Sequence, residues 1–500
     1  MEDRRAKRAA ARRVVPVMAL AVLAGGTWAA ARTHSEAADR AAASGRPNVL
    51  VIETDDQTLE SMKVMHSVNS LIGAHGATFT NSFVNYSLCC PSRATFLTGQ
   101  YAHNHGVLSN KGARGGFPRF EALHAHNNLA VWLKNAGYHT ALIGKYLNRY
   151  ANHPPVPPGW SEWQAAAPDD QGVYDYTLNQ NGDLVHLHNK PADFKQDVLT
   201  RRAVSFVHRR ARQPQPFFLW LTYTAPHVGY PEPSPNPPHN CAGAAKPPPR
   251  YSKAFANAPL PMPPNFNEAD VSDKPASIQK WPLLTSDQIL GIRRKYRCEL
   301  ESLLSVDEGV KSIVSALRAS NQLDDTLIVY TSDNGFFHGE HRLPEGKMRP
   351  YEESIRVPLE MRGPGVPSGV KVNPPVINAD LAPTIVDAAN ATARLPMDGR
   401  SLLPVARRPG IARNRQLLIE EPGELAGVQA WGPGFEAIRT PDHIYVETRG
   451  EDPELYDLKR DPFELQNVAG HPAYASLRAT LAARLHKLER CAGRSCRPGS

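Results

Sequence analysis

Four stretches of this 500-residue chain share one pattern, a short unbroken apolar run that stops abruptly on polar or charged residues. Val49 to Ile52 runs into Asp55 and Asp56. The segment TALIG ends on Gly144 and Lys145. PFFLWLTYTAPH, Pro216 to His227, ends on His227, and Leu327 to Tyr330 leads to Asp333 and Asn334. An apolar run without alternation fits a strand buried on both faces, as in a parallel sheet covered by helices. In open parallel sheets, binding sites form beyond the carboxyl ends of the strands. The pattern therefore predicts an α/β chain whose acids, lysine and histidine gather where those strands end. Helices are predicted at 129–136, with Leu129, Leu133 and Ala136 on one face, and at 286–320, with Leu300, Leu303, Leu304 and Val310 on one face.

Adjacent carboxylates such as Asp55 and Asp56 repel each other unless a cation lies between them. Oxygen donors favour a hard divalent ion, Ca²⁺ or Mg²⁺. Two solvated acids in a turn are the plain alternative. His103 and His105 follow in GQYAHNHGV, but a site rich in carboxylate oxygens argues against imidazole ligands. They read as loop residues, with His105 a candidate for the pocket wall.

Residues Ser87 to Gly99 read SLCCPSRATFLTG. This stretch resembles the signature of the type I sulfatases, C-x-P-S-R-x-x-x-L-T-G, with Cys89 at the first position and Cys90 in the variable slot. A half-cystine in a loop is the bland reading of the same residues. The resemblance implies that a formylglycine-generating enzyme oxidises Cys89 to formylglycine, also called 3-oxoalanine. One oxygen of the aldehyde hydrate can attack sulfur, and the other lets the aldehyde re-form as sulfate departs, an exit that serine lacks. A helix starting near Pro91, where proline is tolerated in the first turn, would let Arg93 fold back toward residue 89.

Further motifs extend the resemblance over nearly all of residues 47–470. SDNG around Asp333 and Asn334 matches a second metal half-site. His227 matches a histidine near the leaving-group oxygen, suited to a general acid, and Lys347 matches a lysine that contacts the sulfate. YEESIRVP from Tyr351 to Pro358 and DLKRDPFELQNVA near the end also match. GKYLNRY departs from the common G-K-W-H-L-G: Leu147 stands where the family has a histidine, with Asn148 nearby as a pocket candidate. GKYLN, the double cysteine of CCPSR and PPGW (Pro157 to Trp160) resemble the N-acetylglucosamine-6-sulfatase and heparan endosulfatase branch. His338 and His341 are further pocket candidates.

The resemblance implies an alkaline-phosphatase-like α/β fold, a large mixed sheet sandwiched by helices. A small C-terminal α+β subdomain with an antiparallel sheet follows it. The expected division is a signal peptide at 1–31, a linker at 32–45, a catalytic domain at 46–410 and the C-terminal subdomain at 411–500. The implied reaction is hydrolysis of a sulfate monoester on a sulfated sugar or glycosaminoglycan, with Asp55, Asp56, Asp333, Asn334 and residue 89 around a divalent metal. Arg93, Lys145, His227 and Lys347 would serve the reaction. Alternatives are an arylsulfatase, a phosphate or phosphonate ester hydrolase of the same superfamily, or a sulfated-glycan-binding protein whose cysteine is never converted.

The leader has a basic start (Arg4, Arg5, Lys7, Arg8, Arg12, Arg13), an apolar run from Val14 to Gly26 and small residues at Ala29 to Ala31, as in an export signal. An uncleaved anchor is the alternative, although the run is short for a span. Secretion without a stable membrane span is the expected outcome. Residues 1–46 hold 9 Lys/Arg and 4 Asp/Glu, so the remainder of the +8 chain carries only +3. That mild basicity suits an anionic substrate, and no basic helix with groove-reading spacing points to nucleic acid. With Cys89 converted, five of the six cysteines remain; Cys491–Cys496 and Cys241–Cys298 are the expected pairs, leaving Cys90 free. Many of the 45 prolines crowd into 228–282, which excludes regular elements and reads as a lid, a substrate wall or a surface excursion.

Overall fold

The computed structural model describes residues 45–150, 155–167, 172–228, 241, 243–423 and 432–497. The expected signal peptide and all of the linker but Gly45 lie outside the described residues, as do 229–240 and 242 of the proline-rich segment. The first half of the chain carries β1 (Asn48–Asp55), β2 (Ala77–Phe79), β3 (Ser82–Phe83), β4 (His139–Gly144), β5 (Glu162–Ala167), β6 (Tyr176–Gln180), β7 (Asp183–Leu187) and β8 (Phe217–Pro226). The second carries β9 (Thr326–Ser332), β10 (Leu359–Arg362), β11 (Val370–Val372), β12 (Val376–Ile377), β13 (Leu417–Glu421), β14 (Phe435–Arg439), β15 (His443–Thr448) and β16 (Glu454–Asp457). One mixed sheet of ten strands has the order β11-β2-β10-β9-β1-β8-β4-β5-β6-β7. Its centre, β9-β1-β8-β4-β5, is parallel throughout. All four runs singled out in the sequence lie there, so their ends share one rim.

Alternation explains why those runs are apolar throughout. On β1, Val49 and Val51 face one core while Leu50 and Ile52 face the other; on β8, Phe218 and Trp220 oppose Leu219 and Leu221. The first core is closed by the helices Cys89–Thr98, Leu129–Asn135 and Leu381–Ala388, the second by Lys195–Arg210 and Ser286–Ala319. The 34-residue helix begins in a capping box, Thr285 with Gln288, each side chain bonding the other's backbone N–H. Leu300, Leu303 and Val310 are buried, whereas Leu304 is only partly so.

The outer strands carried no such signal. β5 and β6 mix polar residues such as Gln164, Asn179 and Gln180 into their apolar ones, β7 is largely exposed, and the far-edge strands β10, β2 and β11 are short, so their sequences do not stand out from loops. A second sheet, β13-β14-β15-β16, is antiparallel. The helix Ala475–Leu488 sends Leu481, Leu485 and Leu488 into its core. Cys241–Cys298 and Cys491–Cys496 are disulfides, and Cys89 and Cys90, in neither, are buried. The described part of 228–282 departs from the expectation of no regular element. It holds a short helix, Ala276–Gln279, and bridges Phe266 to Glu340, because Val271, Ile278 and Asn265 are buried against the body of the protein. No helix among the described residues is long and apolar enough to cross a membrane.

Candidate active site

The rim where β1, β4, β8 and β9 end is where the predicted residues meet. Immediately after β1 the chain turns through Asp56 in a left-handed conformation (φ 66°), which aspartate tolerates better than most residues. The turn brings the Asp56 N–H to Asp333 Oδ1 at 3.2 Å, joining the end of β1 to the end of β9. At the end of β4, Gly144 has φ +116°, and a Cβ there would sit 1.9 Å from the Thr222 carbonyl oxygen; only glycine lets β4 lie that close to β8 and deliver Lys145 to the rim.

Residue 89 arrives from the other side, on the helix Cys89–Thr98. That helix starts two residues earlier than the sequence suggested. Pro91 is still within the first turn, where its missing N–H would have had no intrahelical partner. The Cys90 N–H is capped by Asn110 Oδ1 at 2.9 Å, and Gly99 closes the helix in the left-handed conformation. The Cys89 thiol lies 3.5 Å from Asp55 Oδ1 and receives the Lys347 ammonium at 3.1 Å. Burial and the negative charge of Asp55 push that thiol well above its ordinary range, so an unconverted Cys89 stays protonated.

Charge compensation is dense. Lys145 Nζ bonds Asp55 Oδ2, and Lys347 Nζ bonds Asp56 Oδ1 while reaching Asn334 Oδ1 at 3.3 Å. Asn334 Nδ2 donates to Asp56 Oδ1 at 2.6 Å. Arg93, fully buried, donates Nε to Asp333 Oδ2 at 2.9 Å and Nη1 to the Lys145 carbonyl at 3.1 Å. His227 Nδ1 is 2.7 Å from the Val228 carbonyl, which directs Nε2 to Asp56 Oδ2 at 3.6 Å. Burial opposes ionisation of Asp55, but Lys145, His227 and Arg93 more than reverse this and hold its carboxyl far below the carboxylate range. Burial and the Asp55 charge instead raise Asp333, against the opposing pull of Arg93, Lys145 and Lys347.

The donor set decides whether a cation fits. Asp56 and Asn334 share the Lys347 ammonium, and the Asp56 N–H ties Asp333 to the same turn. An oxygen-rich set of this kind accepts a hard divalent ion. Asp55, Asp56, Cys89 and His227 also bring one ligand atom each within 4.8 Å of one another.

The other candidates each have partners of their own. His105 is buried beside the helix, with Nε2 3.0 Å from Thr95 Oγ1 and Nδ1 accepting from the Val107 N–H. Asn148 is buried, its carbonyl accepting from the Phe117 N–H at 2.7 Å. His338 pairs with Glu299 at 2.6 Å, and His341 pairs with Glu268 at 2.7 Å while stacking on Tyr351. These contacts tie both histidines to structural partners. One participant was missed: Glu53, buried on β1, receives Trp220 Nε1 at 3.1 Å and lies 3.3 Å from Arg93 Nη2. Burial raises its pKa to about 7. A lone glutamate in a doubly buried strand was the available signal.

Residues 47–391 match the family model described as Sulfatase, and residues 339–491 match the C-terminal model of N-sulphoglucosamine sulphohydrolase. Human N-acetylglucosamine-6-sulfatase is 33% identical over 502 residues, covering 92% of this chain and 87% of that protein. An extracellular sulfatase SULF-1 homologue of Drosophila melanogaster is 34% identical over 74% of this chain, and its Caenorhabditis elegans counterpart 37% over 71%. The chain spans only 32% and 48% of those two relatives' lengths. A protein solved in complex with its substrate D-glucosamine-2-N,6-O-disulfate superposes with a TM-score of 0.70 at 24% identity, covering 89% of this chain and 98% of that one. A phosphonate monoester hydrolase of Agrobacterium radiobacter gives 0.67 at 23%, covering 89% and 95%.

Proposed function

The chain belongs to the sulfatase family, and from that membership we propose that it hydrolyses sulfate monoesters, R–O–SO₃⁻ + H₂O → R–OH + HSO₄⁻, on 6-sulfated N-acetylglucosamine units of sulfated glycans. The observation that carries the reading is the position of Cys89, at the start of a buried helix, within reach of both Lys347 and the Asp55 carboxylate. Converted to formylglycine, residue 89 supplies a hydrated aldehyde whose oxygen attacks sulfur. Asp55, Asp56, Asp333 and Asn334 would hold Ca²⁺, which supplies positive charge for the sulfuryl oxygens.

The other roles belong to the chain's own groups. Arg93 positions residue 89 and the cage carboxylates, and Lys145 offsets the charge of Asp55. Lys347 binds the sulfate, and His227 gives a proton to the leaving oxygen through Nε2, its Nδ1 being held by Val228. The sugar assignment rests on the N-acetylglucosamine-6-sulfatases among the relatives and on CCPSR and GKYLN in this sequence. Residues 46–410 would form the catalytic domain and 411–500 a subdomain beside it. Two disulfides and the basic, apolar leader support export.

The test has two parts. The mass of the peptide spanning Cys89 should show sulfur and two hydrogens replaced by one oxygen. Initial rates should favour an aryl sulfate over the matching phosphate, and 6-sulfated N-acetylglucosamine over other sulfated sugars. An unconverted Cys89 in protein from a host with a formylglycine-generating enzyme would leave a glycan-binding role; faster phosphate turnover would make it a phosphoesterase.

A further inference from the structure

We propose that the outermost hairpin of the large sheet carries a second metal site, formed by Asp175, His186 and His188, that takes a zinc-class divalent ion. β6 and β7 pair antiparallel with Thr177 opposite His186, and the Asp175 N–H donates to the His188 carbonyl at 3.2 Å. Side chains alternate between faces, so His186 and His188 share one face, with Thr177 and Asp175 across from them. The two imidazoles meet at 4.7 Å between ring centres, at 77°. Asp175 has φ 52°, and its carboxylate Oδ1 lies 3.0 Å from His186 Nε2. The other nitrogen, Nδ1, is 3.3 Å from Thr177 Oγ1, the kind of outer hydrogen bond that fixes which nitrogen faces a metal.

One ligand atom from each of the three residues lies within 4.8 Å of the others. Zinc–ligand bonds of about 2.1 Å require tetrahedral neighbours about 3.4 Å apart. All three side chains are exposed, His186 by 47% and Asp175 by 72%, so modest torsions close the gap. Two imidazoles with one carboxylate select a transition metal over Ca²⁺, opposite to the oxygen-rich cage at the ends of β1 and β9. Ala167, the last residue of β5, pairs with Thr177, which puts the hairpin site on the same rim as the cage. It lies five strands from β1, or roughly 24 Å at about 4.8 Å per strand. Three protein ligands at an exposed edge leave coordination positions open, and the ion would clasp β6 to β7 where the sheet has no further neighbour.

Calorimetric titration of Zn²⁺ into tag-free, full-length protein kept in excess Ca²⁺ tests this. The expected result is one equivalent bound with micromolar or tighter affinity. The His186→Ala/His188→Ala double variant should weaken it about 100-fold and Asp175→Asn about 10-fold. Zinc should raise the melting temperature of the wild type and not of the double variant. Because the positions are exposed, the zinc-free melting temperatures should agree, which separates site loss from misfolding. A double variant weakened less than tenfold, or wild-type binding only in the millimolar range, overturns the proposal.

Discussion

Arg93 Nε donates to Asp333 Oδ2 at 2.9 Å, a bond between residues 240 positions apart. The same guanidinium reaches the Lys145 carbonyl at 3.1 Å, Glu53 Oε1 at 3.3 Å and Asp55 Oδ2 at 3.6 Å. One planar fork therefore touches the ends of β1, β4 and β9 and the helix that presents residue 89. Burial alone would favour loss of its proton, but Glu53, Asp333 and Asp55 hold it firmly charged. The strand ends and the helix that carries residue 89 are thus tied together by a side chain with no exposed surface.

Arg93→Ala should destabilise the fold by about 3–5 kcal/mol, because it leaves Glu53 and Asp333 buried without their cation. Arg93→Lys keeps a charge but loses the fork, so it should recover part of that stability while activity stays depressed about 100-fold. Urea denaturation and initial rates on an aryl sulfate read the two effects separately. An Arg93→Ala protein with the wild-type unfolding midpoint would contradict the assignment.

The proposed Ca²⁺ cage uses the same carboxylates. Treatment with a chelator is expected to abolish turnover and lower the melting temperature, and Ca²⁺ should restore both. Asp333→Asn removes one negative charge from the cage and should raise the Ca²⁺ concentration for half-maximal activity by about tenfold or more, since affinity follows ligand charge. Unchanged Ca²⁺ dependence in that variant would remove Asp333 from the cage.

The sequence was legible where a strand buried on both faces is also apolar throughout. Val49–Ile52 and Leu327–Tyr330 announce themselves because both faces of β1 and β9 are covered. The side chains at their ends, Asp55, Asp56, Asp333 and Asn334, could be read as one group because parallel strands bring like ends together. β7 was not legible because Asp183 and Leu184 are exposed and a solvated edge strand has the composition of a loop, and β6 because Thr177, Asn179 and Gln180 break its apolar run. Glu53 escaped notice because its partners, Arg93 and Trp220, are 40 and 167 positions away. Pairing at that range is fixed by the fold. The partners of His338 and His341, Glu299 and Glu268, come from distant segments and were equally out of reach of the sequence.

Stability should decline on the alkaline side of neutrality. Burial lowers the pKa of His103, but the hydrogen bond and charge of Glu420 more than reverse it, to about 9. Glu299 similarly brings His338 to about 9 against its burial. A histidine whose folded pKa lies above its unfolded value of about 6.5 contributes stability that is fully present below that value and is lost as pH rises through the folded one. The window is therefore pH 6.5 to 9, and each site contributes about 1–3 kcal/mol. His103→Gln should flatten the fall in urea midpoint across that window, and a slope identical to wild type would count against the ion pair.

The two disulfides should differ in worth because they close loops of different length. Cys241 and Cys298 are 57 positions apart, and Cys491 and Cys496 only 5. Loop-closure entropy then assigns about 4 kcal/mol to the first and about 2 kcal/mol to the second. The shorter loop is also held by bonds that survive loss of its disulfide: Asn104 Nδ2 donates to the Cys491 carbonyl at 2.9 Å, and the Gly493 N–H donates to Asp398 Oδ1 at 2.6 Å. Cys298 instead lies on the 34-residue helix Ser286–Ala319, so its bond to Cys241 ties the proline-rich segment to the face of the protein that this helix covers. Replacing Cys241 and Cys298 by alanine should therefore lower the unfolding free energy about twice as much as replacing Cys491 and Cys496. Activity on a small aryl sulfate should persist in both, since neither disulfide touches the rim. Equal losses in urea denaturation under oxidising conditions would show that local docking, rather than loop length, sets what each bond contributes.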